Sequence, residues 1–486
     1  MVAPLRIAPL GLWIRLVDAV DLSLGWTRGL LPARVGPLLF GLSRGVSFLM
    51  LKIACTLLIL TLAQWTSALA QEVPHAFTGA KIIPVEGEPI EAGTLLVEAG
   101  VIKALGPAGK VAIPATAKRF DLKGKVIIPG LICTHSHIGG IGGGDGSGPV
   151  QPDVRIYDSL NVRDPGFRRA VAGGLTALNI MPGSGHLLSG QTVYVKLRGS
   201  KTIEGLCLRD KEGRILGGMK MANGTNSQRA PPFPGTRSKS AALMRAEFIR
   251  AGEYRDKLAA ALDDPEKKPP RDLRLEGLVE VLEGRRVVHH HTHRHDDIMT
   301  VLRLSREFGF RVVLHHVSEG WMVAEEIARA KVPCSIILVD SPGGKLEAIN
   351  LVFKTGGILE KAGVLTAFHT DDWITDSRLF LRMAGLGVRG GMSREAGLKA
   401  LTLAGAKMLD LDKRIGSLKV GKDADFVILN GDPLSVYTKV LETWVEGRKV
   451  FDRGNPDDLL HAVGGYGAGV DQEPYHCCFG EEGGGR

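Results

Sequence analysis

Cysteine motifs, basic blocks and aromatic side chains are scarce in this sequence, and each scarcity removes a class of function. The six cysteines include no Cys-x-x-Cys pair, so neither a zinc knuckle nor a disulfide framework is indicated. The net charge is +9, but no dense run of lysine and arginine follows residue 70, so nucleic-acid binding is not expected. Aromatic residues make up 6% of the chain, which also argues against a base-stacking surface.

The remaining composition is ordinary for a globular protein. Of the 486 residues, 44% are apolar and 23% are charged, which excludes an intrinsically disordered chain and a multi-span membrane protein. The length is roughly three times the ~150-residue domain average, so one or two large domains with additional segments are expected. The 63 glycines show no collagen period and are interpreted as parts of turns and loops.

The first seventy residues contain the pattern of an export signal. Lys52 precedes an apolar segment from Ile53 to Ala63, and the small-x-small sequence Ala68-Leu69-Ala70 follows. This order of basic residue, apolar core and cleavage pattern is typical of a secretory signal peptide. The apolar segment is also short for a membrane span. We therefore predict a signal peptide over residues 50–70.

The rest of the N-terminus is interpreted from that signal. Residues 1–49 fit neither a signal nor an anchor, so Met50 is expected to be the start of the signal. After cleavage the mature protein would begin near Gln71, in the periplasm or outside the cell. The alternative is an uncleaved anchor that holds the protein to a membrane through residues 50–70.

Two segments with many short strands lie on either side of a different pattern. Residues 71–129 and 416–455 alternate short apolar runs with turns, which predicts one small composite β-sandwich domain built from both ends of the chain. Residues 130–415 repeat strand and helix patterns, which predicts an α/β fold with a (β/α)8 TIM barrel. Residues 456–486 are glycine-rich and are expected to form a flexible tail. Functional residues of such a barrel follow its strands, at the C-terminal face.

Side chains that bind metals follow four of the predicted barrel strands. They are His135 and His137 after the strand at 126–132, His291 and His293 after the strand that ends at Val288, His316 after the strand at 311–315, and Asp371 after the strand at 364–369. In an extended segment residues i and i+2 point to the same side, so each His-x-His pair can reach one metal. Because the strand ends meet at one face of a barrel, the set predicts a site for one or two divalent metals.

Parts of this set allow another interpretation. His291 and His293 lie in the run HHHTHRHDDI, and a histidine-rich run can bind metals without specificity. Lys220 lies in GGMKMANGTN after a short apolar stretch, and its spacing alone indicates a surface lysine. The residues therefore leave open a non-catalytic protein that binds or sequesters metal.

Six segments resemble the amidohydrolase superfamily, and in particular its imidazolonepropionase-like, exported branch. They are PGLICTHSHIGG, GGMKMANGTN, HTHRHDDI, LHHVSEG, FHTDDWITDSR and GSLKVGKDADFVIL, and the similarity extends over residues 74–453. The order His-x-His, Lys, His, His, Asp along the barrel is the ligand order of that superfamily. The resemblance implies a metal-dependent hydrolase.

The resemblance also implies a role for each residue. His135 and His137 would bind the more buried metal together with Asp371, which would also move protons. Lys220 matches a position where many members carry a carboxylated lysine that bridges two metals. Zinc is the expected ion, with manganese or iron as alternatives. A single metal is also compatible with the superfamily.

The second metal would be bound by His291 and His316. We prefer His291 to His293 because the ligand of the superfamily usually opens this motif. His293 and Arg294 would then contact the ligands or the substrate. One departure from the pattern is the segment Gly224-Thr225-Asn226, since the branch often has Gly-Glu-Asn there.

Together these residues predict a hydrolase that cleaves a carbon–nitrogen bond in an amide, a cyclic amide or a dipeptide. A divalent metal lowers the pKa of bound water to ~7, and Asp371 beside it can take the proton and pass it to the leaving nitrogen. Lys220 and Asp371 favour an enzyme over a sequestering protein, because sequestration needs neither. The expected partner is a small-molecule or dipeptide substrate, and a homo-oligomer is compatible with the sequence. A membrane would be contacted only through the export signal or the anchor.

Overall fold

The fold is described from a computed structural model over residues 73–142, 144–338, 345–372 and 374–464. The predicted signal peptide at 50–70 and the segment before it lie outside the described residues, as do Cys477 and Cys478. Within the described ranges, none of the helices combines the length and the hydropathy that crossing a membrane requires.

Seventeen strands of the described chain form three sheets, and eleven α-helices accompany them. The strands are β1 (His75–Ile82), β2 (Ile90–Glu98), β3 (Val101–Pro107), β4 (Lys118–Asp121), β5 (Val126–Pro129), β6 (Leu131–Ser136), β7 (Leu175–Ile180), β8 (Leu188–Gln191), β9 (Val193–Lys196), β10 (Met219–Ala222), β11 (Val288–Thr292), β12 (Val312–His316), β13 (Cys334–Ile336), β14 (Thr366–Phe368), β15 (Phe426–Leu429), β16 (Val440–Val445) and β17 (Arg448–Asp452). The helices are α1 (Pro165–Ala172), α2 (Ile203–Leu206), α3 (Arg237–Ala260), α4 (Leu273–Leu282), α5 (His295–Phe308), α6 (Ala324–Ala330), α7 (Thr355–Lys361), α8 (Arg382–Arg389), α9 (Arg394–Leu401), α10 (Leu403–Met408) and α11 (Pro456–Val463).

The composite β sheet is built from both ends of the described chain. Its strand order is β17-β16-β15-β5-β1-β2-β3, and β4 also pairs with β1. The two ends meet where β5 pairs with β15 in antiparallel register. Aromatic rings pack together within the apolar core of this sheet: the ring of Phe77 lies 4.9 Å from that of Phe426 and 5.0 Å from that of Trp444. Such edge-to-face contacts add specific geometry to the apolar surface that the rings bury.

The barrel begins with β6 and β7, and β9 and β8 together occupy its third position. The strands β10, β11, β12, β13 and β14 follow in that order. Neighbours from β10 to β14 are parallel, as are β6 and β7. The third position differs from the predicted parallel barrel, because β8 and β9 run antiparallel to β10 and β7. In the described residues no ladder joins β14 to β6, and the Asp371 N–H donates to the His135 carbonyl at 3.1 Å instead. With this variation, the predicted fold class is confirmed.

The helix that follows β11 shows the physics behind the strand–helix alternation. Ile298, Val301 and Leu302 occupy one face of α5 and are buried. Asp296 in its first turn complements the positive end of the helix dipole. Gly309 ends the helix with φ of 74°, a left-handed conformation that favours glycine. The chain then turns into β12, which carries His316 at its end.

A single glycine separates the composite sheet from the barrel. The apolar run at 126–132, which predicts one strand, forms two strands with Gly130 between them. A Cβ atom at Gly130 would lie 2.2 Å from Oγ1 of Thr176, so a side chain at this position would collide with β7. The chain thus leaves one sheet and enters the other within one residue, and β6 then carries the first histidines of the site.

A buried lysine connects the barrel to the loops of the composite sheet. Lys196 on β9 is fully buried, and its Nζ lies 2.6 Å from Asp423, 3.0 Å from Asp425 and 3.1 Å from Glu446. Burial opposes the charge of the amine, but the three carboxylates outweigh this effect and raise its pKa. Arg198 also pairs with Glu446, and Arg414 pairs with Asp423, so three positive charges balance the three carboxylates of this network.

The C-terminal prediction needs one correction. Residues 456–464 of the predicted flexible tail are ordered, because Pro456–Val463 form α11. Asn455 caps this helix by accepting from the Asp457 N–H, and Asp458 binds Arg168 on α1. A proline at the first helical position and a capping side chain before it stabilise a helix start. The tail after residue 464 lies outside the described residues.

Candidate metal centre

Side chains from five barrel strands meet at the C-terminal strand ends. β6 contributes His135, β10 contributes Lys220, β11 contributes His291 and β12 contributes His316, while Asp371 follows β14. Of these strands, β10, β11 and β12 are neighbours, β13 lies between β12 and β14, and β6 belongs to the other barrel sheet. The C-terminal ends of barrel strands lie at one face. The structure therefore brings together the residues that the sequence predicted for the site.

The first donor group consists of His135, His137 and Asp371. Oδ1 of Asp371 lies 3.3 Å from Nε2 of His135 and 3.0 Å from Nε2 of His137. The two imidazole nitrogens are themselves 3.0 Å apart. The other nitrogen of His137, Nδ1, lies 2.8 Å from the Met181 carbonyl, which fixes the orientation of the ring. Three donor atoms thus converge on one point.

Asp371 occupies an unusual backbone conformation at this point. Its φ is 47°, a left-handed value that is uncommon for a non-glycine residue. Burial opposes ionisation of the carboxyl, but the hydrogen bond with His137 and the positive charge of Lys220 outweigh it and hold the pKa below its usual range. Asp371 is therefore a carboxylate at neutral pH, able to bind a cation or accept a proton.

Lys220 is not the surface residue that its spacing alone indicates. Its side chain is fully buried, and Nζ lies 3.1 Å from Nε2 of His135 and 3.2 Å from Sδ of Met181. Burial lowers the pKa of this amine to about 7, although the charge of Asp371 acts in the opposite direction. A substantial fraction of the amine is therefore uncharged near neutral pH. The uncharged amine is the form that can react with carbon dioxide to give a carbamate.

Both histidines of the β11 motif are buried beside this group. The His291 ring lies 4.4 Å from the His316 ring and 4.6 Å from the His293 ring. Among the described residues, neither nitrogen of His291 has a hydrogen-bond partner, and Nε2 of His293 and of His316 also has none. Burial lowers the pKa of His291 and His316, so both rings are neutral.

These nitrogens test whether the site fits a metal. A buried polar nitrogen without a partner is unfavourable, and several such nitrogens in one place are explained by an ion that they would bind. Neutral imidazole together with carboxylate is a donor set that suits zinc and related divalent ions. The residues present therefore fit a divalent metal. Within the described part of the chain, both nitrogens of His291 lack a hydrogen-bond partner but only one of His293 does, because Nδ1 of His293 lies 2.8 Å from Oγ of Ser318.

His369 belongs to the cluster but was missed in the sequence. His135, His316 and His369 form a second group that could hold one ion. His369 is fully buried, and its Nε2 lies 3.1 Å from Nδ1 of His316. Its position directly after β14, at the C-terminal end of a barrel strand, was the pattern that could have identified it. His315 also lies in the core, with Nε2 at 3.0 Å from Nδ1 of His289.

Asp372 has a different role from its neighbour. It is buried and accepts hydrogen bonds from the hydroxyl groups of Ser136 at 2.5 Å, Thr370 at 2.8 Å and Ser377. Burial raises the pKa of this carboxyl, while the hydroxyl groups act in the opposite direction. Asp372 ties the loop after β14 to the end of β6, and this holds the neighbouring Asp371 in position.

A carboxylate from elsewhere in the chain contacts the segment where the resembling branch often has glutamate. Oε1 of Glu347 accepts from the Thr225 N–H at 2.8 Å and from Arg237 at 2.5 Å. A Cβ atom at Gly224 would lie 2.7 Å from the same oxygen, and Gly224 has φ of 72°. Glu347 therefore fixes the loop that follows Lys220.

Comparisons with known proteins agree with this geometry. The profile described as "Amidohydrolase family" matches residues 247–451. The amidohydrolase tasK of Hapsidospora irregularis is 28% identical over 393 residues, which cover 74% of this chain but 40% of that protein, so the match spans less than half of that relative. The imidazolonepropionase of Deinococcus radiodurans is 28% identical over 357 residues, with 70% of this chain and 86% of that protein covered.

A solved structure is similar over most of the chain. The amidohydrolase from Thermotoga maritima superposes with a TM-score of 0.72 at 32% sequence identity. The match covers 78% of this chain and 100% of that one. The sequence motifs, the donor groups and these similarities agree, and the chain belongs to the amidohydrolase superfamily.

Proposed function

We propose that this protein is an exported, metal-dependent hydrolase of a carbon–nitrogen bond in an amide, a cyclic amide or a dipeptide. The observation that carries the proposal is the ionised carboxylate of Asp371, held 3.0 Å and 3.3 Å from the imidazole nitrogens of His137 and His135. A carboxylate in that place can serve both as a ligand and as an acid–base group. The names of the relatives, an amidohydrolase and an imidazolonepropionase, support the same class of bond.

The residues of the site divide into ligands for two ions. His135, His137 and Asp371 would hold one ion, His291 and His316 would hold a second, and Lys220 as a carbamate would lie between them. The donor types favour zinc. A divalent metal bound there would act as a Lewis acid, which lowers the pKa of bound water and polarises a carbonyl group.

In this proposal the Asp371 side chain performs the proton transfer. Asp371 Oδ1 accepts the proton of the attacking water as the water oxygen bonds to the carbonyl carbon. When the carbon–nitrogen bond breaks, the same oxygen delivers that proton to the leaving nitrogen. His137 stays in place because the Met181 carbonyl holds its other nitrogen.

The alternative is a non-catalytic protein that binds or sequesters metal. Such a protein needs histidines but has no use for a carboxylate held beside two ligands or for a buried amine. Both are present at Asp371 and Lys220. Among enzyme activities, that of an imidazolonepropionase is disfavoured. Histidine breakdown, to which that activity belongs, is expected in the cytoplasm, whereas this chain is predicted to carry an export signal. We therefore favour a dipeptide or another exported amide as the substrate.

A hydrolysis screen with metal analysis tests the proposed function. The purified protein is expected to contain one to two equivalents of zinc or a similar ion and to cleave a member of a dipeptide and cyclic-amide panel. A chelator should remove the activity and added zinc should restore it. Protein without bound metal, or activity that a chelator leaves intact, would show that the proposal is wrong. Bound metal without hydrolysis of any panel member would favour sequestration.

Export is tested separately on the native protein. N-terminal sequencing is expected to begin at or near Gln71, because cleavage follows Ala68-Leu69-Ala70. Fractionation should find this form outside the cytoplasm. Intact protein in the cytoplasm that retains Met50 or Met1 would contradict the export proposal. Recovery of the uncleaved form in the membrane fraction would favour the anchor.

A further inference from the structure

A chain of hydrogen bonds between side chains leads from β6 to a proposed metal ligand. Oγ1 of Thr134 lies 2.6 Å from Oγ of Ser335, which lies 2.7 Å from Nδ1 of His369. Nε2 of His369 lies 3.1 Å from Nδ1 of His316. All four side chains are buried. The hydrogen-bond chain ends at the His316 ring, whose Nε2 has no partner among the described residues.

The hydrogen bonds of this chain can all be donated in one direction or all in the other, which gives two orders of donation. His316 and His369 are joined nitrogen to nitrogen, so one ring nitrogen donates and the other accepts, and each neutral ring carries one N–H. In the first order His316 donates from Nδ1 to His369, His369 donates from Nδ1 to Ser335, and Ser335 donates to Thr134. In the second order every donation is reversed.

Only one of these orders suits a metal ligand. In the first, Nε2 of His316 keeps its lone pair, whereas in the second Nε2 carries the hydrogen and cannot bind an ion. The first order places the N–H of His316 at Nδ1, where it would be buried without an acceptor if His369 were absent. An acceptor at that point therefore stabilises the ring form that can bind a metal.

We propose that His369 is a positioning residue, which accepts the Nδ1–H of His316 and so presents Nε2 of His316 to a divalent metal. This inference rests on the proposed metal site. Ser335 and Thr134 complete the arrangement by accepting in turn, which fixes the His369 ring. His369 acts through His316, and the ion would be bound by His316 and His291.

A matched pair of variants separates this role from simple packing. His369→Gln keeps a side-chain carbonyl that can accept the N–H of His316, while His369→Met keeps a side chain of similar length without an acceptor. We expect His369→Met to weaken zinc binding by ~10–100-fold, the usual effect of losing such a partner. His369→Gln should stay within a few-fold of wild type. Ser335→Ala should weaken binding in the same direction, because His369 loses its own acceptor.

The readouts are zinc affinity by competition with a chromophoric chelator and the visible spectrum of the cobalt-substituted protein. Circular dichroism establishes that each variant is folded, and His461→Met on α11 controls for loss of a histidine outside the barrel strands. A changed cobalt spectrum is expected for His369→Met and the wild-type spectrum for His369→Gln. A change of packing alone would alter stability without this difference between Gln and Met.

Other outcomes overturn the inference. If folded His369→Gln loses metal as fully as His369→Met, then His369 is itself a ligand, in the group that it forms with His135 and His316. If neither variant changes affinity or spectrum, then His316 does not depend on His369. Wild-type protein that binds no metal would instead refute the proposed function, so the two failures are distinguishable.

Discussion

Asp371→Asn is expected to fold, to retain most of its metal and to lose turnover by about 10²–10⁴-fold, the usual contribution of a positioned acid–base group. Asparagine keeps the shape of the side chain and one oxygen that can bind an ion, but it cannot accept and deliver a proton. The position of Asp371, with Oδ1 at 3.0 Å from His137, is the reason for assigning it this transfer. Turnover and metal content are measured on the same preparation.

The control for this variant is an exposed carboxylate that the site does not use. Glu395 on α9 is exposed and pairs with Lys399 of the same helix. Glu395→Gln should keep turnover close to that of wild type. Asp372→Asn would not be a neutral control, because Asp372 accepts three buried hydrogen bonds. Near wild-type turnover in Asp371→Asn would refute its catalytic role.

Lys220→Ala is expected to lose about one metal equivalent, and turnover with it, because two ions need an anionic bridge between them. An amine is a poor bridge, whereas a carbamate offers two oxygens. Elemental analysis of the folded variant gives the metal stoichiometry. Acetate or propionate, added to the variant, should restore part of the lost metal by placing a carboxylate in the space that the lysine vacates.

Rescue of Lys220→Ala by a small carboxylate distinguishes a bridging carbamate from a positively charged amine. If Lys220 acts as a cation, a small amine should restore function and a carboxylate should not. Lys239→Ala on α3 is the matched control, since Lys239 is exposed. Unchanged metal stoichiometry in Lys220→Ala would remove Lys220 from the ligand set and leave it as a buried packing residue.

Much of the site could be predicted because strand ends and donor residues coincide in the sequence. His135, His137 and Asp371 each follow an apolar run, and the fold gathers such positions at one face. Lys220 was different, since spacing alone indicated a surface residue and only the resemblance identified it. Its burial depends on contacts with β6 and with Met181, which no local pattern records.

The remaining features depend on contacts between distant parts of the chain. The run at 126–132 is apolar throughout, so its division at Gly130 follows from the approach of Thr176 on a neighbouring strand. The role of His369 depends on Ser335 and His316, which lie on other strands. The position of Asp372 after Asp371 does not reveal the three hydroxyl groups that donate to its carboxylate.

The pairing of β5 with β15 has a consequence for the order in which the molecule assembles. Pro129 lies opposite Phe426, so closing this pair brings together residues that are far apart in sequence, and contacts of this kind form slowly. β6, which carries His135, starts two residues after Pro129. The edge of β5 that pairs with β15 therefore stays unpaired until the last part of the barrel has been synthesised. β6 can pair with β7 much earlier, but its histidine also needs Asp371, which follows β14, so the metal centre is among the last features to form.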